Sequence, residues 1–116
     1  MATAAEIRNK AGFKLGVKAI GQALENAVSS DLDAAYTEVY NRLRAEDLVN
    51  WAESAEVPDD LVSPVVDLVA FSRADEYRVN SEKFQRLLLA ASQAEFRIRR
   101  SLQDDYFNNE NEAVYY

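Results

Sequence analysis

Apolar residues recur along most of this chain with a helical period. Ile7, Ala11 and Leu15 stand four apart and predict a helix from Ala4 to Leu15. Thr3 is placed to cap it, Glu6 completes a capping box, and Gly16 follows where a left-handed glycine ends a helix. Lys10 and Lys14 lie in its last turns, where cations suit the helix dipole. The stretch from Val17 to Ser29 reads as a connector with at most a helical turn. Leu32, Tyr36, Val39 and Leu43, widened by Tyr40, predict a second helix capped by Ser30 or Asp31 and free to run toward Trp51. Val57-Pro58-Asp59-Asp60 reads as a turn into a third helix, from Asp60 to Tyr77, with Pro64 in its first turns. Its apolar face, Leu61, Val65, Leu68, Val69 and Phe71, is wide enough to pack on more than one side. Asn80 or Ser81 caps a long fourth helix, ending near Leu102, with Phe84, Leu87, Leu88, Ala91, Ile98 and Leu102 in its stripe. The last stretch, 103–116, is rich in acids, asparagines and aromatics, has no base and lacks that period. The predicted architecture is all-α: a four-helix bundle-like body over 1–102 and an extended C-terminal arm over 103–116. Trp51, Leu68, Phe71, Phe84 and Leu88 are assigned to the core.

Composition narrows the chemistry. The chain has 116 residues, enough for one modest core. With 20 acidic and 13 basic residues its formal net charge is -7. Nucleic-acid binders draw on cation excess and counterion release, so DNA is not expected as the main ligand. Cysteine and histidine are absent. No disulfide or thiolate is available, nor the side chain most used for acid–base work near neutral pH. No apolar run is long enough to span a membrane, and the amino terminus lacks the apolar core of a signal peptide.

Four features are candidate sites. The pairs Asp59–Asp60 and Asp104–Asp105 sit in polar, turn-like sequence, whereas paired catalytic carboxylates need a cleft that separates their pKa values. The acidic stretch from Glu46 to Asp60 lacks the alternating acids and central glycine of a calcium loop. No catalytic residue, metal ligand or cofactor is therefore assigned, and the chain is expected to bind proteins, not to catalyse. Arg97, Arg99 and Arg100 read either as cations at a helix C-terminus or as contacts to a neighbouring subunit or acidic partner. Tyr106, Phe107, Val114, Tyr115 and Tyr116 read either as a frayed end or as a partner-binding arm. Burying one large side chain contributes about 1.5–3 kcal/mol. Ordering each residue costs about 1–2 kcal/mol in backbone entropy. One arm would bind weakly unless its backbone also paired, while many arms on one ring would bind firmly.

Two segments resemble a known family. Ala5-Glu6-Ile7, with Lys10-Ala11-Gly12-Phe13-Lys14-Leu15-Gly16-Val17, is similar to the start of head-to-tail adaptor proteins of tailed bacteriophages. Val57-Pro58-Asp59-Asp60-Leu61, the apolar helix Val62 to Phe71, and Glu76-Tyr77 before a long helix resemble that family's later elements. The resemblance implies a ring, commonly of twelve copies, beneath the portal protein of the filled capsid. Such a ring extends the DNA channel and docks a tail or nozzle protein. DNA would pass without specific binding, and an acidic wall suits that passage. The protein would be made in the host cytoplasm and reside in the virion at the head–tail interface. The arm 103–116 would grip the portal, and Arg97, Arg99 and Arg100 would make intersubunit contacts. The alternative is a small helical regulator that binds a host or phage protein through its C-terminal tail.

Overall fold

The computed structural model describes residues 2–17 and 25–114, with side chains placed for 2–17 and 25–103. Within them lie four α-helices: α1 (Ala4–Leu15), α2 (Asn26–Ala45), α3 (Asp59–Ser72) and α4 (Ser81–Val114). The all-α, bundle-like class expected from the periodicity is the observed one.

Helix α1 has the expected bounds. The Thr3 hydroxyl oxygen accepts the Glu6 N–H at 3.3 Å. The Glu6 carboxylate accepts a hydrogen bond from the Thr3 hydroxyl at 3.4 Å and not from the Thr3 backbone N–H, so only half of a capping box forms. At the other end Gly16 has φ 80° and ψ 11°. Its N–H reaches the Phe13 carbonyl and the Val17 N–H the Gly12 carbonyl, both at 3.1 Å, which is the full Schellman pattern.

The same closure recurs where sequence suggests none. Asp47 has φ 58°, its N–H bonds the Arg44 carbonyl and the Leu48 N–H bonds the Leu43 carbonyl. This ends α2 at Ala45, well short of Trp51. Arg78 has φ 51° with the Asp75 and Ala74 carbonyls engaged in the same way. This turn, together with the earlier end of α3 at Ser72, replaces the expected helix out to Tyr77. Helix α2 also starts earlier than expected, at Asn26, so Ser30 and Asp31 lie inside it and not at its cap. The rest of the expected connector, 18–24, falls outside the described residues. At the start of α4 the Asn80 side chain caps the Lys83 N–H at 2.8 Å, as expected.

Helix α3 is the centre of the bundle. It touches the other three helices, and α1 also touches α2. Every residue from Pro64 to Ala70 is buried, so the wide apolar face does pack on several sides. Pro64 is the sixth residue of α3, one turn deeper than a helix tolerates freely, and its ring is fully buried. The N-terminal strip joins the bundle through a single antiparallel bridge, Ala2 to Val57, with bonds of 3.1 and 2.8 Å. Trp51 and Leu68 are buried as assigned. Phe71 and Phe84 pack against the core half-buried, their ring centroids 5.6 Å apart. Leu88 is a correction: it is 39% exposed, and Leu87, one position round the helix, takes the core place.

Helix α4 packs lengthwise on α3 through Leu87, Ala91, Ala94 and Ile98. Phe84 faces Phe71 near the end of α3, and the Ser101 hydroxyl donates to Asp60 at its start (2.6 Å), so the two helices run antiparallel. The helix does not stop near Leu102. Its backbone continues to Val114, which corrects the expected extended arm: 103–114 is helical. Thirty-four residues make a rod of about 51 Å, and the longest dimension of the molecule is 53 Å.

Replacing Gly16 with Ala forces a Cβ into the left-handed region, 2.9 Å from the movable Lys83 ammonium. A destabilisation of about 1 kcal/mol is expected in urea unfolding, carried by backbone strain because the lysine can step aside.

Candidate interaction surface

Three polar or aromatic groupings stand out from the bundle. The first is inside it. Asp67 on α3 is 5% exposed and carries the only buried charge among the described residues. The Lys14 ammonium, from the last turn of α1, contacts its carboxylate directly. Lys14 therefore serves a buried partner on another helix, beyond any role at its own helix end.

The second grouping joins α2 to the α3–α4 turn. The Arg73 guanidinium meets Asp31 at 3.2 Å, Glu38 at 2.9 Å and Glu76 at 3.7 Å. The hydrogen bond to Glu38, opposed by some burial, raises the Arg73 pKa, so its charge is secure. The Tyr77 hydroxyl donates to Asp31 at 2.7 Å. Burial first, then that hydrogen bond and the Asp31 charge, push the Tyr77 pKa up to about 12. The third is an aromatic knot. Trp51 Nε1 donates to the Tyr36 hydroxyl at 3.2 Å, and the Tyr40 hydroxyl donates to the Trp51 carbonyl at 2.7 Å. Burial raises the Tyr36 pKa. The loop after α2 is held by these bonds, and beside it an open hollow is lined by Tyr40, Asp47, Val49, Trp51 and Glu53.

The acids of the Glu46–Asp60 stretch are dispersed over separate partners. Glu46 faces Arg99 at 3.8 Å, Glu53 accepts the Thr37 hydroxyl at 2.8 Å, and Asp60 accepts that of Ser101. Among the described residues no three acids gather where one ion could sit.

The arginine cluster does not sit at a helix C-terminus, which corrects that expectation. Because α4 runs to Val114, Arg97, Arg99 and Arg100 lie in mid-helix, more than three turns from the terminus, where the dipole contributes little. Arg99 and, one turn earlier, Glu95 face α2, with Glu95 3.7 Å from Arg42. These are long, exposed pairs worth roughly 0–1 kcal/mol each. Arg97 and Arg100 are exposed on other sides of α4. Tyr106, Phe107 and Val114 lie on helical backbone with side chains beyond those described, and Tyr115 and Tyr116 fall outside the described residues.

The surface missed by periodicity is the back of α4. Leu89 is 61% exposed and Phe96 66%. Seven residues apart, they share one stripe, roughly half a turn around the helix from buried Ile98. The i, i+7 spacing was present in the sequence, hidden beside a stronger core stripe.

No family model, curated protein or solved structure matches this chain. Among the described residues no helix is long and apolar enough to cross a membrane.

Two outcomes are expected. Lys14→Met leaves a buried carboxylate without its cation and should cost about 1–3 kcal/mol in chemical denaturation, with much of it regained in the double variant Lys14→Met/Asp67→Leu. Stability should fall between pH 10 and pH 12, because unfolded tyrosine (pKa about 10) loses its proton before the folded Tyr77 does. Thermal melts across that window should show a shallower fall in Tyr77→Phe, with the remainder carried in part by Tyr36.

Proposed function

We propose that this chain is a subunit of a ring adaptor between the portal and the tail of a tailed-bacteriophage virion. The ring extends the DNA channel and offers the tail its docking surface. The observation that carries the reading is the reach of α4. Ser101 meets Asp60 at the start of α3, and the helix then continues for about three and a half more turns. A helix prolonged past the element it packs on is a ready docking rod.

The helical backbone changes how that segment would grip a portal. An extended arm binds by adding a strand to a sheet edge, whereas a helix lays one face into a groove. Because the residues are already ordered in the helix, less conformational entropy opposes docking. Repeated copies around a ring then multiply a modest single contact. The acidic balance of -7 suits a channel through which DNA slides without being held.

A pull-down with the portal encoded alongside this chain tests the reading, using full-length protein and a version ending at Leu102. Full-length protein should be recovered in many copies per portal ring. The truncated version should keep the helical circular dichroism of residues 2–102 and lose portal binding. Equal binding by both would move the grip away from the C-terminal segment. Capture of neither would sink the adaptor reading, and a single copy on a non-portal partner would favour the regulator instead.

A further inference from the structure

The exposed stripe on α4 is apolar and basic in a chain that is acidic overall. Leu89 and Phe96 form its ridge. Arg97 and Arg100, exposed and without an ion pair among the described residues, lie to one side of Phe96, while Arg86 is paired with Glu82 at 2.6 Å. A ridge of this kind fits an acidic surface with an apolar floor.

The same chain carries such a surface. The hollow after α2 has Val49, Trp51 and Tyr40 on its floor and Asp47 and Glu53 on its rim, against one cation, Arg44. Arg42 is the α2 residue that reaches toward α4, through Glu95. Tyr40 and Arg44 sit roughly half a turn around α2 from Arg42, so the hollow opens away from α4. The ridge on α4 in turn faces away from α3 and the body. Ridge and hollow thus occupy different faces on different helices, as a head-to-tail contact requires.

Two-fold pairing of the ridges is disfavoured by charge. An antiparallel pair centred between Leu89 and Phe96 would set the unpaired Arg97 and Arg100 of one copy level with Leu88 and Gln85 of the other, which offer them no carboxylate. A heterologous contact instead joins unlike charges, and contacts of that type close into rings when the rotation permits.

We infer that the Leu89–Phe96 ridge of α4, with Arg97 and Arg100, docks into the acid-rimmed hollow at Asp47, Trp51 and Glu53 of a second copy of this chain. This deepens the ring reading and rests on it for closure of the contact into a ring. Phe96 enters the hollow as the apolar anchor, and the arginines meet the rim carboxylates.

The chain has no cysteine, so single thiols report cleanly. Gln93→Cys places a thiol beside the ridge and Ala52→Cys one at the hollow, both at exposed positions. Each variant alone, treated with a short bis-maleimide, should stay monomeric on a denaturing gel. Their mixture should give a dimer, and the double variant Gln93→Cys/Ala52→Cys a ladder. Adding Phe96→Asp should cut the mixed dimer at least tenfold with circular dichroism unchanged, since Phe96 is largely exposed. Dimers of Gln93→Cys alone would mean ridge-to-ridge pairing and overturn the proposal. So would absence of any mixed dimer or ladder at millimolar protein. Portal is not needed in this experiment, so its failure is distinct from failure of the pull-down: a portal-bound ring without trapping overturns the contact and spares the adaptor reading, and trapping without portal binding does the reverse.

Discussion

Burial of α3 on every side governs the rest of the bundle. From Pro64 to Ala70 no position on that helix faces water, so α1, α2 and α4 must each cover part of it. Asp67 falls in the middle of this run, and an ionised carboxylate there needs a cation and hydrogen bonds. Lys14 supplies the cation from the last turn of α1. That one contact couples where α1 stops to how it lies across α3. The Schellman closure at Gly16 comes two residues later, where the chain must turn away from the contact.

Helix α4 covers α3 with a single stripe and leaves its back in water. Its small core residues, Ala91 and Ala94, let it lie close to α3, while Leu89 and Phe96 remain largely exposed. Exposed apolar side chains scattered singly are ordinary. Two on one stripe of a helix, beside arginines in an acidic chain, form a surface with a definite chemistry. The proposed contact between copies and the proposed grip on a portal both draw on α4, at different levels along its length. Its inner two thirds are packed and its last turns run beyond the start of α3.

The turns show what periodicity could and could not reveal. Thr3, Gly16 and Asn80 are residues whose chemistry suits caps, and each caps as its type predicts. Asp47 and Arg78 adopt the same left-handed closure as Gly16 without being glycine. Packing of the next residue in the chain holds each conformation: Leu48 is buried and Val79 packs against the core. The end of α2 is set in this way and carries no local signal, so periodicity alone predicts a longer helix, while α3 stops at Ser72, before the turn at Arg78. The end of α4 is the opposite case. Polar, aromatic residues without a core stripe still continue a helix already nucleated over many turns, because extension adds one hydrogen bond per residue fixed.

By itself the sequence determined the helical class, the order of four helices, the bounds of α1 and the wide apolar face of α3, because periodicity and capping chemistry dictate them. It also determined the chemistry on offer, with neither thiol nor imidazole and a net charge of -7. The tertiary structure decided which of two adjacent leucines, Leu87 or Leu88, enters the core, since a shift of one position turns a side chain about 100° around the helix. It decided that Lys14 meets Asp67 across 53 residues of chain, and that the arginines sit in mid-helix and not at an end. It also placed the ridge of α4 and the hollow beside α2 on separate faces. Directions in space depend on how helices pack against one another, and no local pattern encodes them.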